Sequence, residues 1–539
     1  MDTLHQSGEL DLVRKFRSMP AKRQRALLAL LRKQGVDVSA FDVVPRLPRS
    51  ADTPPHLSFA QRRLWFLAQL DGADASYNIP MALRLRGRLD RDALLRALEA
   101  VVQRHEVLRT RLVSHDGVPY QHIGDGSDFA VREEELADPA ELPLICEREA
   151  LAPFDLAHDP LIRVRLLRRS EREHVLLVTM HHSVSDGWSV GVFFRDTAAF
   201  YEAFRAGRAG HTGTGGPAPL EPLPIQYADY ADWQRQWLGN EVQARQVAYW
   251  KRQLAGVDPR LTLPTDRERP TVKTYQGSHE SFACPPELLE SLRGLSERYD
   301  VTLYMTLLAA YTAVLHRYTQ QTDIAVGTVV ANRNRIEVEN LIGLFANTLV
   351  MRTDVSDDPA FPDLLTRVKK TALEAFAHQD VPFEAVVESL QAERSLAHSP
   401  VFQTMFVLQE ERTGRESKLG EVEVTLVDFD FDITKFDLTL ELRETPDGLT
   451  GVVEYNTDLY DRETIQRFIG HYTTLLTAVT ADPEEKISRL SLLDAAERRR
   501  VLVEWNEPPV EAGSGLGSVL GERCVHEWFE EVVAGSSGA

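Results

Sequence analysis

The chain reads as a mixed α/β (α+β) protein of two lobes, each a sheet covered by helices, and three observations predict it. Helical and strand-like periodicities alternate along the sequence instead of falling into separate blocks. A short continuous apolar run, Val175 to Met180, has the length of a strand buried on both faces, and helical spacing returns at Val190. A polar, broken Gly/Pro stretch, Gly207 to Pro224, then divides two such alternations as a surface connection.

Taken in order, Glu9 to Arg17 and Ala21 to Lys33 read as two short helices, with Pro20 near a helix start and Gly35 placed to end one. Their cluster of Arg and Lys fits a solvated face or a surface for an acidic partner. Val44 to Pro55, with four prolines, reads as a linker. Gln61 to Leu70 and Arg91 to Arg104 have helical spacing, Met81 to Arg86 alternates like a strand, and Val190 to Arg205 is helical. In the second lobe helices are expected at Glu241 to Leu254, Glu287 to Arg298, Leu303 to Arg317 and Pro362 to His378. Strands are expected at Asp323 to Val330, Glu421 to Asp428 and Phe436 to Arg443. Pro446-Asp447-Gly448 marks a turn into Leu449–Tyr455, and the helix Arg462 to Val479 closes the lobe. The expected organisation is an N-terminal helical linker or docking segment at 1–45, lobes at 46–225 and 226–482, and a C-terminal linker at 483–539.

Composition narrows the function classes. Sixty-one Lys+Arg against 81 Asp+Glu give a net charge of −20, which argues against neutralising nucleic acid or anionic lipid as the main task. Cys146, Cys284 and Cys524 are too few and too scattered for a disulfide framework or zinc site, and a reducing cytosol is the natural compartment. The most apolar stretch, Leu303 to Leu315, is interrupted by tyrosines and threonines, so neither a membrane span nor a signal peptide is readable.

The chemistry concentrates in Met180-His181-His182-Ser183-Val184-Ser185-Asp186-Gly187-Trp188-Ser189, between the buried strand and a helix. Neighbouring strand residues face opposite ways, so of His181 and His182 one is packed and the other available. Asp186 could orient an imidazole or hold the loop by pairing with an arginine. Gly187 permits a positive φ or the close approach of a substrate backbone. No third and fourth ligands appear at a metal-binding spacing, and no metal is expected. Gly187-Trp188-Ser189-Val190-Gly191 also matches the G-x-S-x-G elbow of serine hydrolases, but five residues separate the strand from it and no HGGG-type oxyanion segment is present.

At seven places, in matching order, the chain resembles the condensation domains of nonribosomal peptide synthetases, whose signature is HHxxxDG. These are Leu57 to Trp65 (LSFAQRRLW), Arg104 to Thr110 (RHEVLRT), His181 to Ser189, Tyr227 to Trp233 (YADYADW), Ile342 to Thr348 (IGLFANT), His378 to Glu384 (HQDVPFE) and, more loosely, Arg394 to Pro400. The resemblance implies two chloramphenicol-acetyltransferase-like lobes forming a V-shaped pseudo-dimer with a central tunnel. It implies His182 as the catalytic histidine, His181 as the packed one, and Asp186 in a structural ion pair with Arg63. Gly187 would border the acceptor, and Ser185, Trp188, Ser189 and Asn347 would be tunnel residues. Trp65, Trp233, Tyr227 and Phe345 read as core.

The implied reaction joins a carrier-bound acyl or peptidyl thioester to the α-amine of a carrier-bound amino acid. The implied partners are upstream and downstream peptidyl carrier proteins, whose phosphopantetheine arms bring the substrates. No cofactor of the domain itself, nucleic acid or membrane is involved, and a cytoplasmic monomer is expected. Glu497 to Asn506 resembles the linker to an adenylation domain and Val525 to Glu530 that domain's first helix, so the chain reads as an excised fragment. Ser185 to Ser189 and Val329 to Arg335 resemble the subtype joining L-donors to L-acceptors. A free-standing acyltransferase using CoA thioesters, an epimerisation domain and a non-catalytic recruitment domain remain alternatives. Against them stand the C-terminal linker, the absence of a GHGRE-type segment and the intact HHxxxDG.

Overall fold

The structure is a computed structural model that describes residues 44–48, 54–71, 75–207, 219–238, 241–258, 260–390, 397–409, 416–427, 429 and 433–506. The helices expected between residues 9 and 33, most of the Gly/Pro stretch, residues 394–396 and the Val525 to Glu530 segment lie outside the described residues. The chain divides into a main unit, Met1–Leu490, holding both expected lobes, and a short unit, Ser491–Ala539. In the short unit one α-helix, Ala495–Leu502, is capped by the Asp494 carboxylate.

The main unit starts with helix α1 (Phe59–Asp71), strand β1 (Asn78–Arg86) and helix α2 (Arg91–Arg104), followed by the hairpin β2 (Thr110–His115) and β3 (Val118–Ile123). Next come β4 (Val131–Glu135), α3 (Leu142–Leu151), β5 (Ile162–Ser170), β6 (Glu173–His181) and α4 (Gly187–Arg205). Asp90 caps α2 by accepting the Ala93 N–H. The α2 residues Ala93, Leu94, Ala97, Leu98, Val101 and Val102 recur at helical spacing and are all buried.

Strand β6 shows why the apolar run from Val175 is continuous. Leu176, Val178 and Met180 enter one core with α2 and α4, whereas Val175 and Leu177 enter a second with Ile145 and Cys146 of α3. A strand covered on both faces has no polar side. Cys146 is unpaired and buried, which pushes its thiol up to about 11.

The rest of the unit comprises α5 (Tyr227–Trp237), α6 (Glu241–Gln253), β7 (Gly277–Cys284), α7 (Pro286–Arg298), α8 (Leu303–Thr319), β8 (Asp323–Val330), β9 (Asn347–Asp354), α9 (Phe361–Phe376) and α10 (Phe383–Leu390). It ends with β10 (Thr404–Gln409), β11 (Glu416–Leu419), β12 (Val422–Leu426), β13 (Leu438–Thr445), β14 (Gly448–Asn456) and α11 (Arg462–Ala481). The second sheet has the order β7-β14-β13-β10-β8-β9, with β10 parallel to both β8 and β13. Pro446 and Asp447 form the expected tight turn, Thr445 pairing with Gly448, whose φ is +119°. Helix α8 backs this sheet, Tyr311 meeting Phe406, Phe468 and Tyr472.

One expected strand crosses between the lobes. The segment expected at Glu421 to Asp428 in the second lobe forms β12, which pairs antiparallel with β1, so the first sheet runs β11-β12-β1-β6-β5-β4. Its partner lies over 300 residues away in sequence, and local patterning carries no record of such a pairing. Among the described residues no helix is long and apolar enough to cross a membrane.

Candidate active site

Strand β6 carries the two histidines to the edge of the first lobe, and the pleat separates them. His181 is 5% exposed; its ring lies 5.9 Å from Phe154 and 6.5 Å from Tyr77, and its Nδ1 is 2.8 Å from Ser183 Oγ. Burial first, then the neighbouring His182, Lys435 and Arg163, push its pKa down to about 3. His182 is only partly buried. Its N–H donates to the Tyr77 carbonyl at 2.8 Å, and its Nδ1 lies 2.8 Å from the Ser185 carbonyl. A carbonyl oxygen only accepts, so Nδ1 carries the proton and Nε2 of the neutral ring keeps its lone pair. Burial and then the Lys435 cation push the His182 pKa down to about 4, against the pull of the Ser185 carbonyl and Asp186. The imidazole is therefore neutral at pH 7, with one basic nitrogen.

Asp186 holds the loop, and its partner differs from the expected one. Oδ1 accepts the Ser189 N–H (2.8 Å), the Ser189 hydroxyl (2.6 Å) and Arg333 Nη2 (3.1 Å). Oδ2 accepts the N–H groups of Phe345 (2.9 Å) and Ala346 (3.2 Å). Burial works to raise the pKa of this carboxyl, but Arg333, Ser189 and the backbone donors outweigh it, and the group sits below the usual carboxylate range. Arg63 is not its partner. That side chain is 43% exposed on α1 and pairs with Glu384 of α10 at 3.0 Å, whereas Asp186 caps α4 in the interior, where the buried Arg333 reaches it.

Ser189 is buried within the first turn of α4, its hydroxyl donating its one proton to the Asp186 carboxylate at 2.6 Å, lying 2.9 Å from the Gly343 carbonyl, and accepting from the Gly343 N–H and Arg333 Nη2. That excludes the hydrolase elbow, which needs an exposed serine on a sharp turn. Gly187 begins α4 without a positive φ, the first of the two possibilities read for it, and nothing outside its own helix lies within 4 Å of where a Cβ would stand. Ser185 is buried, Trp188 donates its indole N–H to the Glu339 carbonyl, and Asn347 donates to the carbonyls of Gln379 and Val381 while accepting from Phe383 N–H. The polar atoms of Trp188, Ser189 and Asn347 thus serve the frame.

Most of the quoted motifs meet here. Gln61 donates to the Ser183 carbonyl; the hydroxyls of Ser58 and Tyr227 lie 2.8 Å apart, and Tyr227 also donates to the Leu344 carbonyl. His105 lies 3.0 Å from the Asp196 carboxylate and accepts the Ile342 N–H. A Cβ on Gly343 would stand 2.0 Å from the Tyr227 ring. Tyr227 and Phe345 are core as expected, with Trp65 and Trp233 partly buried against the same core. Sequence reasoning missed Arg333, Asp196 and Lys435; the available signal for Arg333 was a cation three residues past the end of an apolar strand. Among the described residues no group of three or more His, Cys, Asp or Glu could hold a metal ion.

Fold and site together define a class: two six-stranded mixed sheets with an HHxxxDG loop fixed between their lobes. The chain belongs to the condensation domain family, whose family model matches residues 53–502. It is 44% identical over 507 residues to a linear gramicidin synthase polypeptide of Brevibacillus parabrevis, and 42% identical over 496 residues to chondramide synthase of Chondromyces crocatus. These matches cover 92% and 91% of this chain but only 10% and 12% of the two synthases. Among solved structures, the X-domain from teicoplanin biosynthesis superposes with a TM-score of 0.76 at 32% identity, covering 84% of this chain and 100% of that one; it is also known in complex with OxyB.

Proposed function

We infer that this domain forms a peptide bond in nonribosomal peptide synthesis, between an acyl or peptidyl thioester on an upstream carrier protein and the α-amine of an aminoacyl group on a downstream carrier. The phosphopantetheine arms of the carriers would bring both substrates through a passage between the lobes to His182, with Gly187 beside the acceptor. The observation that carries this is His182 itself, partly exposed, neutral, and offering Nε2 as its basic atom. An α-amine with a pKa of about 7.7–8.0 is already neutral for roughly a tenth to a sixth of the time at pH 7. A strong base is therefore unnecessary: Nε2 needs only to accept the proton the amine sheds as the C–N bond forms, a contribution of about 10²–10⁴-fold. Holding the two tethered arms end to end contributes comparably. The substrates are L-configured on both sides, and an adenylation domain follows through the C-terminal linker.

A second reading is favoured by the likeness to the X-domain solved with OxyB: a surface that recruits another protein without chemistry. Incubation with loaded donor and acceptor carriers, with acyl-CoA in a parallel reaction, and mass spectrometry of both carriers decides among these. Extended product on the acceptor carrier supports peptide-bond formation. Transfer only from acyl-CoA supports a free-standing acyltransferase, and no product from either donor refutes the enzymatic account.

A further inference from the structure

His181 closes β6 at the point where β1 begins, and whatever seats its ring sets the aim of the residue after it. In the antiparallel register His181 stands opposite Asn78, and the Tyr77 carbonyl accepts the His182 N–H at 2.8 Å. The His181 ring is wedged between two aromatic edges, Phe154 at 5.9 Å and 70° and Tyr77 at 6.5 Å and 60°. Tyr77 is tied to the sheet through its carbonyl. Phe154 lies past the end of α3, on a segment that belongs to no helix or strand. Two side chains on the His181 face of the sheet tie that segment down. Asn78 Nδ2 donates to the Ala150 (2.6 Å) and Ala152 (2.8 Å) carbonyls. Arg163 of β5 stands opposite Thr179, two residues before His181 on the same face of β6. It donates through Nη2 to the Ala152 (2.7 Å) and Glu149 (3.2 Å) carbonyls and through Nη1 to the Pro153 carbonyl (3.1 Å). Its Nε donates to the Glu149 carboxylate (2.8 Å), and the guanidinium lies 3.7 Å from the centroid of the Phe154 ring.

An ordinary ion pair with Glu149 accounts for one of these four hydrogen bonds. It leaves the three bonds to backbone carbonyls and the ring contact unexplained. Glu149 also has a second arginine, Arg165 at 3.3 Å, so its charge has another partner besides Arg163. What Arg163 supplies beyond charge is a planar fork that holds the turn after α3 by its carbonyls while the cation lies over the ring of Phe154. The stack Arg163–Phe154–His181 is thereby anchored at its outer end, and His181 is pressed from that side towards Tyr77. The Cα atoms of neighbouring residues are about 3.8 Å apart, and successive side chains leave a strand on opposite faces. A tilt of the ring at 181 is therefore passed directly to the ring at 182.

We propose that Arg163 is a positioning residue of this reaction: by clamping Phe154 against His181 it fixes the end of β6, and with it the direction in which His182 presents Nε2. This rests on the peptide-bond-forming role inferred above. A misplacement of about 1 Å at a reacting group costs about 10²-fold in rate. For a seat that is loosened while Tyr77 and the strand pairing stay in place, the expected loss is about 10-fold.

The test compares wild type, Arg163→Lys, Phe154→Ala and the double variant in single-turnover reactions with both loaded carriers, at a temperature where melting curves show all four folded. Arg163→Lys keeps the charge beside Glu149 and gives up the fork, so it should fold, bind the carriers as wild type does and lose about 10-fold in rate. Because Arg163 acts through Phe154, the double variant should be no slower than Phe154→Ala alone. Ring-nitrogen NMR spectra at pH 7.5, assigned with His181→Phe and His182→Ala, should show the His181 and His182 signals displaced in Arg163→Lys, which a loss of stability alone would not produce. A wild-type rate in Arg163→Lys, losses that multiply in the double variant, or a slow variant with both histidine signals unmoved overturns the proposal. Wild type that makes no amide overturns the functional inference and the positioning role together, whereas a failure confined to Arg163 leaves that inference standing.

Discussion

Replacing Asp186 with alanine tests the frame around His182. The substitution removes five accepted hydrogen bonds, uncaps α4 and leaves the buried Arg333 without its counter-charge. Breaking a buried pair from one side costs about 3–5 kcal/mol, and loss of the cap about 1 kcal/mol more. A folded unit of roughly 450 residues has an unfolding entropy near 1 kcal/mol/K at about 2.1 cal/mol/K per residue, so Tm should fall by about 4–6 °C. Arg63→Ala is the control: its ion pair with Glu384 is solvent-accessible, worth about 0–1 kcal/mol, and its Tm should stay within about 1 °C of wild type. Differential scanning fluorimetry of both variants at pH 7.5 reads the contrast. An Asp186→Ala protein that melts with wild type, or an Arg63→Ala protein that falls as far, would refute the assignment of Arg333 as the partner.

Two further outcomes follow from the same geometry. Gly343→Ala forces a methyl against the Tyr227 ring, which cannot retreat because its hydroxyl is held by Ser58 and the Leu344 carbonyl; overpacking of about 1–3 kcal/mol should lower Tm by about 1–3 °C, and unchanged melting would contradict the close approach. The histidines should make stability depend on pH. Unfolded, His181 and His182 titrate near 6.5; folded, near 3 and 4, with His105 and His174 also lowered by burial. The unfolded chain therefore binds more protons as pH falls below about 6.5, so stability is full above that value and declines from there towards pH 4. Melting temperatures between pH 7.5 and 4.5, above most carboxylate titration, should show this decline, with a shallower slope in His181→Phe; a flat profile would contradict neutral imidazoles at His181 and His182.

Much of this was legible in sequence because it is local. Alternation along β6 separated His181 from His182, helical spacing located α2 and α8 within a residue or two of their ends, and the Pro446-Asp447-Gly448 turn gave the β13–β14 hairpin. What escaped depends on distance in the chain. β4, with the sequence VREEE, is a charged edge strand that lacks the apolar signal of a strand. The β12–β1 pairing and the Asp186–Arg333 ion pair each join residues more than 140 positions apart. Local pattern left Asp186 either to orient an imidazole or to pair with an arginine, the resemblance pointed to Arg63, and only the packing shows Arg333. The polar atoms of Trp188, Ser189 and Asn347, expected to line a passage, are taken up in hydrogen bonds to Glu339, Asp186 and Gln379.

The most direct test is the single-turnover rate of amide formation by His182→Ala with both loaded carriers. The imidazole is partly exposed and its ring makes one hydrogen bond to the Ser185 carbonyl, so the variant should melt within about 1–2 °C of wild type while losing about 10²–10⁴-fold in rate. Product formed at the wild-type rate by this folded variant would show that the basic nitrogen of residue 182 has no part in making the bond.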